Sequence, residues 1–177
     1  MKKLLAILVL IFSVSVQASE TLVLDFEGLP GQYELTGLSP TIQLASYKIT
    51  YVPAVGEQFP TSLHSVGPAW RFNTRSIALT ANSCNAVLTL QRADQRPFRL
   101  ARIDLAPLNG DPNTVVTVQG HSDKGAIVLQ TVVLPSVGWL TVALSEAFTH
   151  LSKVTIVQGN CDLNPPHMID NVVVESD

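Results

Sequence analysis

The sequence predicts an all-β fold, a jelly-roll-like antiparallel sandwich of about nine or ten strands with the first and last strands adjacent. Three observations predict it. After the N-terminal segment, apolar residues alternate or form short runs between Gly, Pro, Asn and Asp, and no long stretch has a helical period. Turn signals recur about every 8–12 residues, the spacing of short strands joined by tight connections. The two ends are also built alike. Leu22, Leu24 and Phe26 alternate with Val23, Asp25 and Glu27, and Met168-Ile169-Asp170-Asn171-Val172-Val173-Val174-Glu175 is an apolar run broken by an acid and an amide. Side by side, these strands would bring their carboxylates together at one end of the sheet.

The chain opens with Lys2-Lys3, an apolar run from Leu4 to Val16, and Gln17-Ala18 before Ser19. A charged start, an apolar centre shorter than the ~20 residues of a spanning helix and a small residue at the cut read as a secretory signal. Residues 1–18 are therefore expected to be removed, leaving 19–177 as one domain, secreted or periplasmic. No cysteine follows the cut for a lipid, and no apolar tail precedes Asp177.

Within the domain, 21–27 is the first strand, stopped by Gly28 and Pro30. Residues 31–40 read as a connection. Tyr47, Ile49 and Tyr51 alternate in a half-buried strand over 46–52 that Pro53 ends. Residues 54–69, with Gly56, Pro60, Gly67 and Pro68, form a loop long enough to suggest a function. Short strands follow at 69–72, 76–80 and 85–91. Residues 98–105 form a strand with a bulge near Ala101, because Leu100 and Ile103 cannot share a face under strict alternation. Residues 114–119 and 126–134 flank Asp123-Lys124-Gly125 as a hairpin, with Gly125 supplying the positive φ. A strand at 139–144, a helical turn within 145–151, a strand at 153–158, a loop at 160–167 and the closing strand complete the chain.

Without Lys2 and Lys3, nine Lys and Arg stand against fourteen Asp and Glu. A mildly acidic protein has no electrostatic claim on nucleic acid or an anionic membrane. Six of the basic residues, Arg71, Arg75, Arg92, Arg96, Arg99 and Arg102, fall in one third of the chain, either as solvated strand faces or as a local anion-binding patch. Cys84 and Cys161 are an even pair in an exported chain, which makes a disulfide between them the expectation.

The succession Leu24-Asp25-Phe26-Glu27-Gly28-Leu29, Leu90-Gln91-Arg92-Ala93-Asp94, Phe98-Arg99-Leu100-Ala101-Arg102-Ile103-Asp104-Leu105-Ala106, Val116-Thr117-Val118-Gln119-Gly120 and Ile169-Asp170-Asn171-Val172-Val173-Val174 resembles a family of exported bacterial jelly-roll domains. These are similar to carbohydrate-binding modules, and many have no assigned function. The resemblance spans nearly the whole mature chain and rests on the order of short motifs. It implies a structural calcium ion held between the first and last strands, with Glu27 and Asp170 at the ligand positions.

Calcium takes six to eight oxygens from carboxylates, amides and carbonyls. Glu27 and Asp170 are the expected side-chain ligands, with Asn171 and Asp25 in reserve. Asp170 and Asn171 are successive, so only one can face the site unless a bulge intervenes. The alternative is that these are strand-end polar groups bonded to neighbouring loops. Trp70, beside the long loop, is the first candidate for a sugar-stacking platform, with Trp139 and Tyr51 next. Burial preference favours a core position for each of the three. No catalytic residue is identified: His64, His121, His150 and His167 are isolated, and no serine has a nucleophile-elbow setting. The expected function is a non-catalytic binding module for a glycan or a cell-surface partner. The alternatives are a structural or adhesive component without a small ligand and, less favoured, a glycoside-type hydrolase.

Overall fold

The computed structural model describes residues 20–31, 35–53, 55, 63–81, 86–110, 114–157 and 166–176. The expected signal, its cleavage point, and Cys84 and Cys161 with their disulfide lie outside these residues. The described chain is all β, with thirteen antiparallel strands: β1 (Thr21–Leu24), β2 (Leu35–Gly37), β3 (Thr41–Leu44), β4 (Tyr47–Val52), β5 (His64–Val66), β6 (Ala78–Thr80), β7 (Val87–Arg92), β8 (Phe98–Pro107), β9 (Val115–Ser122), β10 (Ile127–Val133), β11 (Leu140–Ala143), β12 (Leu151–Val157) and β13 (His167–Ser176).

They form two layers. The front layer runs β2-β5-β6-β13-β8-β11, and the back layer β3-β4-β7-β12-β9-β10. One rung, Leu151 with Phe98, joins them through β12 and β8. Between the layers, Leu24, Phe26, Leu79, Leu100, Ile103, Leu105 and Ile169 meet Tyr47, Ile49, Leu88, Leu90, Val118, Val154 and Ile156 in one core. Gln130 closes the far side: its Nε2 donates to the Ala143 carbonyl (2.9 Å) and its Oε1 accepts from the Ser145 N–H (3.1 Å), so the edge strand β10 is tied to the end of β11.

The first and last strands do lie together, with Thr21 opposite Glu175 and Leu24 opposite Val172. β13 has β8 along one edge and shares the other, pairing with β6 at Ile169 and with β1 from Val172 onward. The changeover needs an extra residue. Between Asp170 and Val173 the register against β8 slips, and Asn171 takes φ 45°, a left-handed conformation that asparagine tolerates. A compensating slip follows at once, because Val173 faces Arg102 but Val174 faces Leu100. Ala101 is thus bulged out, as the positions of Leu100 and Ile103 require.

Several details differ from the sequence reading: β1 ends at Leu24, short of Asp25 and Glu27, and β3 lies where no strand is expected. Strands β2 and β5 occupy segments that read as connection and loop, because three residues are too few to display a period. Residues 69–72 are turns: Trp70 and Asn73 donate their backbone N–H groups to Gly67 and Trp70 (3.1 and 2.8 Å), so these groups are satisfied locally. Residues 145–151 hold one Phe148-to-Ser145 turn bond before β12 begins, and no helical turn forms.

Candidate functional site

The outer face of the front layer carries the chemistry. Ala106 of β8 faces Met168 of β13, and two residues along, on the same face, Asp104 faces Asp170. Met168 and Ala106 join Val66, Ala78 and Leu108 in a second, small apolar cluster, covered by Leu35, Trp70 and Trp139. An aspartate pair therefore adjoins an apolar patch roofed by two tryptophans.

Both aspartates are almost closed off, with 5 % of Asp104 and 2 % of Asp170 exposed. Their neighbours treat them differently. Arg75 donates from Nη1 to Asp104 Oδ2. Burial raises the Asp104 pKa, but the Thr141 hydroxyl on β11 and the Arg75 guanidinium outweigh it and hold the carboxyl below its usual value. No hydrogen bond of ordinary geometry reaches Asp104 Oδ1, which is buried without a partner. Asp170 is pushed up to about 6, chiefly by burial, with the charges of Glu27 and Asp104 adding and the Asn171 N–H and Arg75 opposing.

The bulge decides how Asn171 contributes. Its backbone N–H donates to Asp170 Oδ1 (2.8 Å), and its Nδ2 donates to Asp170 Oδ2 (3.1 Å) and Asp104 Oδ2 (3.2 Å). Both members of the Asp170-Asn171 dipeptide thus reach one site, the arrangement that needs an added residue. Glu27 follows β1 in an exposed turn, its N–H bonded to Asp25 Oδ1 (3.3 Å), and its charge is felt by Asp170. Asp25 itself points to solvent.

Among the described residues, no three acidic, histidine or cysteine groups stand together as a ready metal cage. In charge and donor type the residues nevertheless suit a hard cation. Asp104 Oδ1 lacks a partner, and the Asp170 carboxylate is disfavoured first by burial and then by the charges of Glu27 and Asp104. Arg75 already neutralises the opposite oxygen of Asp104.

The two tryptophans belong to this same face. Trp70 is half-buried and donates from Nε1 to the Leu108 carbonyl (2.7 Å). Trp139 is half-buried too, with a buried Nε1 that has no partner, and the Arg75 guanidinium lies 4.9 Å from its ring centre. Arg75 thus joins the aspartates to the aromatic patch. The loop that carries it is organised by buried Asn73, whose Nδ2 donates to the Val66, Gly67 and Ser76 carbonyls (2.9, 3.2 and 2.7 Å) and whose Oδ1 accepts from the Arg75 N–H. Tyr51 is not part of the site: it lies in the main core on β4 with 6 % exposed, leaving no free ring face for a sugar.

Sequence reasoning missed Asp104 and Asn73, and placed Arg75 only within the arginine cluster. Alternation could have placed Asp104 on the same face as Arg102 or Ala106, but only the register with β13 sets it against Asp170. The arginine-rich third is largely internally paired: Arg92 and Arg96 share Asp94, and Arg99 reaches Glu146 and Glu175.

No protein-family model matches the chain, and no curated protein is significantly similar to it. Solved structures are similar in fold. The K2 cleaved adhesin domain of Lys-gingipain superposes with a TM-score of 0.56 at 15 % identity, covering 89 % of this chain and all of that one. The K3 domain of the same protein from Porphyromonas gingivalis gives 0.50 at 17 %, covering 90 % of this chain and all of that one. CBM29_1, a family 29 carbohydrate-binding module from Piromyces equi, gives 0.50 at 10 %, covering 91 % of this chain and 93 % of that one. The chain therefore has the β-sandwich fold of carbohydrate-binding and adhesin modules.

Proposed function

We propose that this protein is an exported, non-catalytic module that binds a glycan on the outer face of its front layer, at Trp139 and Trp70. The observation that carries the reading is two half-buried indoles over one small cluster, with Arg75 against the Trp139 ring, on a sandwich whose fold is that of carbohydrate-binding modules. Indole faces stack on pyranose rings, and the partly exposed Arg75 guanidinium supplies donors for hydroxyls. The aspartate pair does not support hydrolysis, because both carboxylates are buried out of a substrate's reach. In a glycan-array screen of the mature protein, Trp139→Ala should weaken binding about tenfold or more, as loss of a stacking anchor does. Its melting temperature should fall by only a few degrees, because Trp139 roofs the small cluster and stays out of the main core. Unchanged glycan binding, or no glycan bound by the wild type, would remove this reading.

We further propose that calcium binds beside the aromatic patch, with Asp170 and Glu27 as ligands, Asn171 and Asp25 available to complete the shell, and Asp104 added through its unpartnered oxygen. The bound ion would supply the positive charge that Asp170 lacks and would pin the turn after β1 to β13. Millimolar calcium should raise the melting temperature by several degrees through binding to the folded state alone, and chelation should reverse it. Asp170→Ala should abolish the response. If calcium leaves the wild-type melting curve unchanged, Arg75 alone balances the pair and the metal reading fails.

The adhesive alternative has one observation of its own: the edge strand β10 exposes Ile127, Leu129 and Val133 at about 60 % each. Contiguous apolar edges favour association.

A further inference from the structure

The back layer has an outer face of different chemistry. Register places Gln43 beside Lys48, Lys48 beside Gln91, and Lys153 beside His121. Gln91 and Lys153 are neighbours, because Leu90 pairs with Val154 one residue inward. Gln43, Lys48, Gln91, Lys153 and His121 therefore form one row across β3, β4, β7, β12 and β9, in which amides and ammonium groups alternate. All five are exposed or half-buried. The next row inward is hydroxylic, with Thr41, Thr50, Thr89 and Thr155 on four successive strands. At the middle of the charged row, Gln91, Arg92, Gln95, Ser152 and Lys153 line an open cleft of 430 Å³.

On a chain with more acids than bases, this row holds no carboxylate. Neither lysine takes part in a salt bridge among the described residues, and the adjoining Asp94 is already shared by Arg92 and Arg96. The face is a local inversion of the protein's charge, and its charge spacing selects a ligand. Lys48 and Lys153 lie two strands apart, about 9.5 Å at the usual strand separation. That is far sparser than a duplex, with one phosphate per ~1.7 Å. It approximates the disaccharide repeat of an extended sugar chain.

We propose that this row binds an acidic polysaccharide carrying one carboxylate per disaccharide, with Lys48 and Lys153 taking successive carboxylates and the glutamine amides and threonine hydroxyls taking the sugar hydroxyls. The site is on the opposite layer from the tryptophans and stands or falls independently of them. The test is calorimetric titration of the mature protein with hyaluronan oligosaccharides, an unsulfated alternating uronate chain. Lys48→Gln with Lys153→Gln should weaken binding about tenfold, the sum of two exposed charge contacts, and should leave the near-ultraviolet circular dichroism unchanged. Trp139→Ala should leave this affinity unchanged. The proposal is overturned if hyaluronan does not bind, if the double variant binds it as well as the wild type, if Trp139→Ala abolishes the binding, or if heparin and single-stranded DNA bind as tightly, which would mark a generic polycation. Failure with neutral glycans would bear on the tryptophan face alone.

Discussion

Phe98→Ala should destabilise the protein by about 3–5 kcal/mol in chemical denaturation. Phe98 is fully buried at the start of β8, where its backbone pairs with Leu151 in the one rung between the layers among the described residues. Its ring meets Tyr47 of the back layer edge-on, with centroids 5.3 Å apart. Truncation removes a large apolar side chain, leaves a cavity between two layers that cannot collapse independently, and deletes an aromatic contact worth about 0.5–1.5 kcal/mol beyond its area. Because the front and back layers meet here through one rung, the loss falls where backbone pairing gives least support. A cost below about 1 kcal/mol would mean that the seam is held elsewhere.

Asp170→Asn should stabilise the calcium-free protein at pH 7 and have much less effect at pH 4. The ordinary carboxyl value is 3.8, and burial with two neighbouring acids raises Asp170 in the fold to about 6. Below pH 4 the group is protonated whether the chain is folded or not, so ionisation contributes nothing. Between pH 4 and 6 the unfolded chain gives up this proton while the folded one retains it, so stability falls as pH rises and the full penalty is present by pH 7. With solvent screening allowed for, the penalty is on the order of 1–2 kcal/mol. The buried His167 imidazole, lowered by burial to about 3, acts oppositely and weakens the fold on acidification. The quantity to measure is therefore the difference between wild type and Asp170→Asn across pH 4–7, in which the His167 contribution cancels. A difference that does not widen toward neutral pH would show that Asp170 ionises freely.

What the sequence disclosed depended on how many residues carried each signal. Alternation over Leu22, Leu24 and Phe26, and the mismatch of Leu100 with Ile103, were enough to expect the β1–β13 pairing and the Ala101 bulge. Three-residue strands such as β2 and β5 hold no period to read, and Trp70 looked like strand because nothing local reveals the turns that Asn73 organises. Glu27, Asp170 and Asn171 stood out because they interrupt apolar strands. Arg75 and Asp104 did not, although they complete the same site. They are 29 residues apart, and Asn171 lies 67 beyond Asp104, so only strand register brings them together.

The shared edge of β13 also bears on when the protein can take shape. Glu20 donates its N–H to the Ser176 hydroxyl at 3.0 Å, 156 residues away in sequence, and among the described residues β1 pairs with β13 alone. Of the described strands, the first in sequence must wait for the last. Until β13 is complete, β1 is an unpaired apolar ribbon, and early folding around it is discouraged by the long loop that must close first. Local hairpins such as β9–β10 need no such closure, so placing β1 on β13 is expected to be a late step in folding.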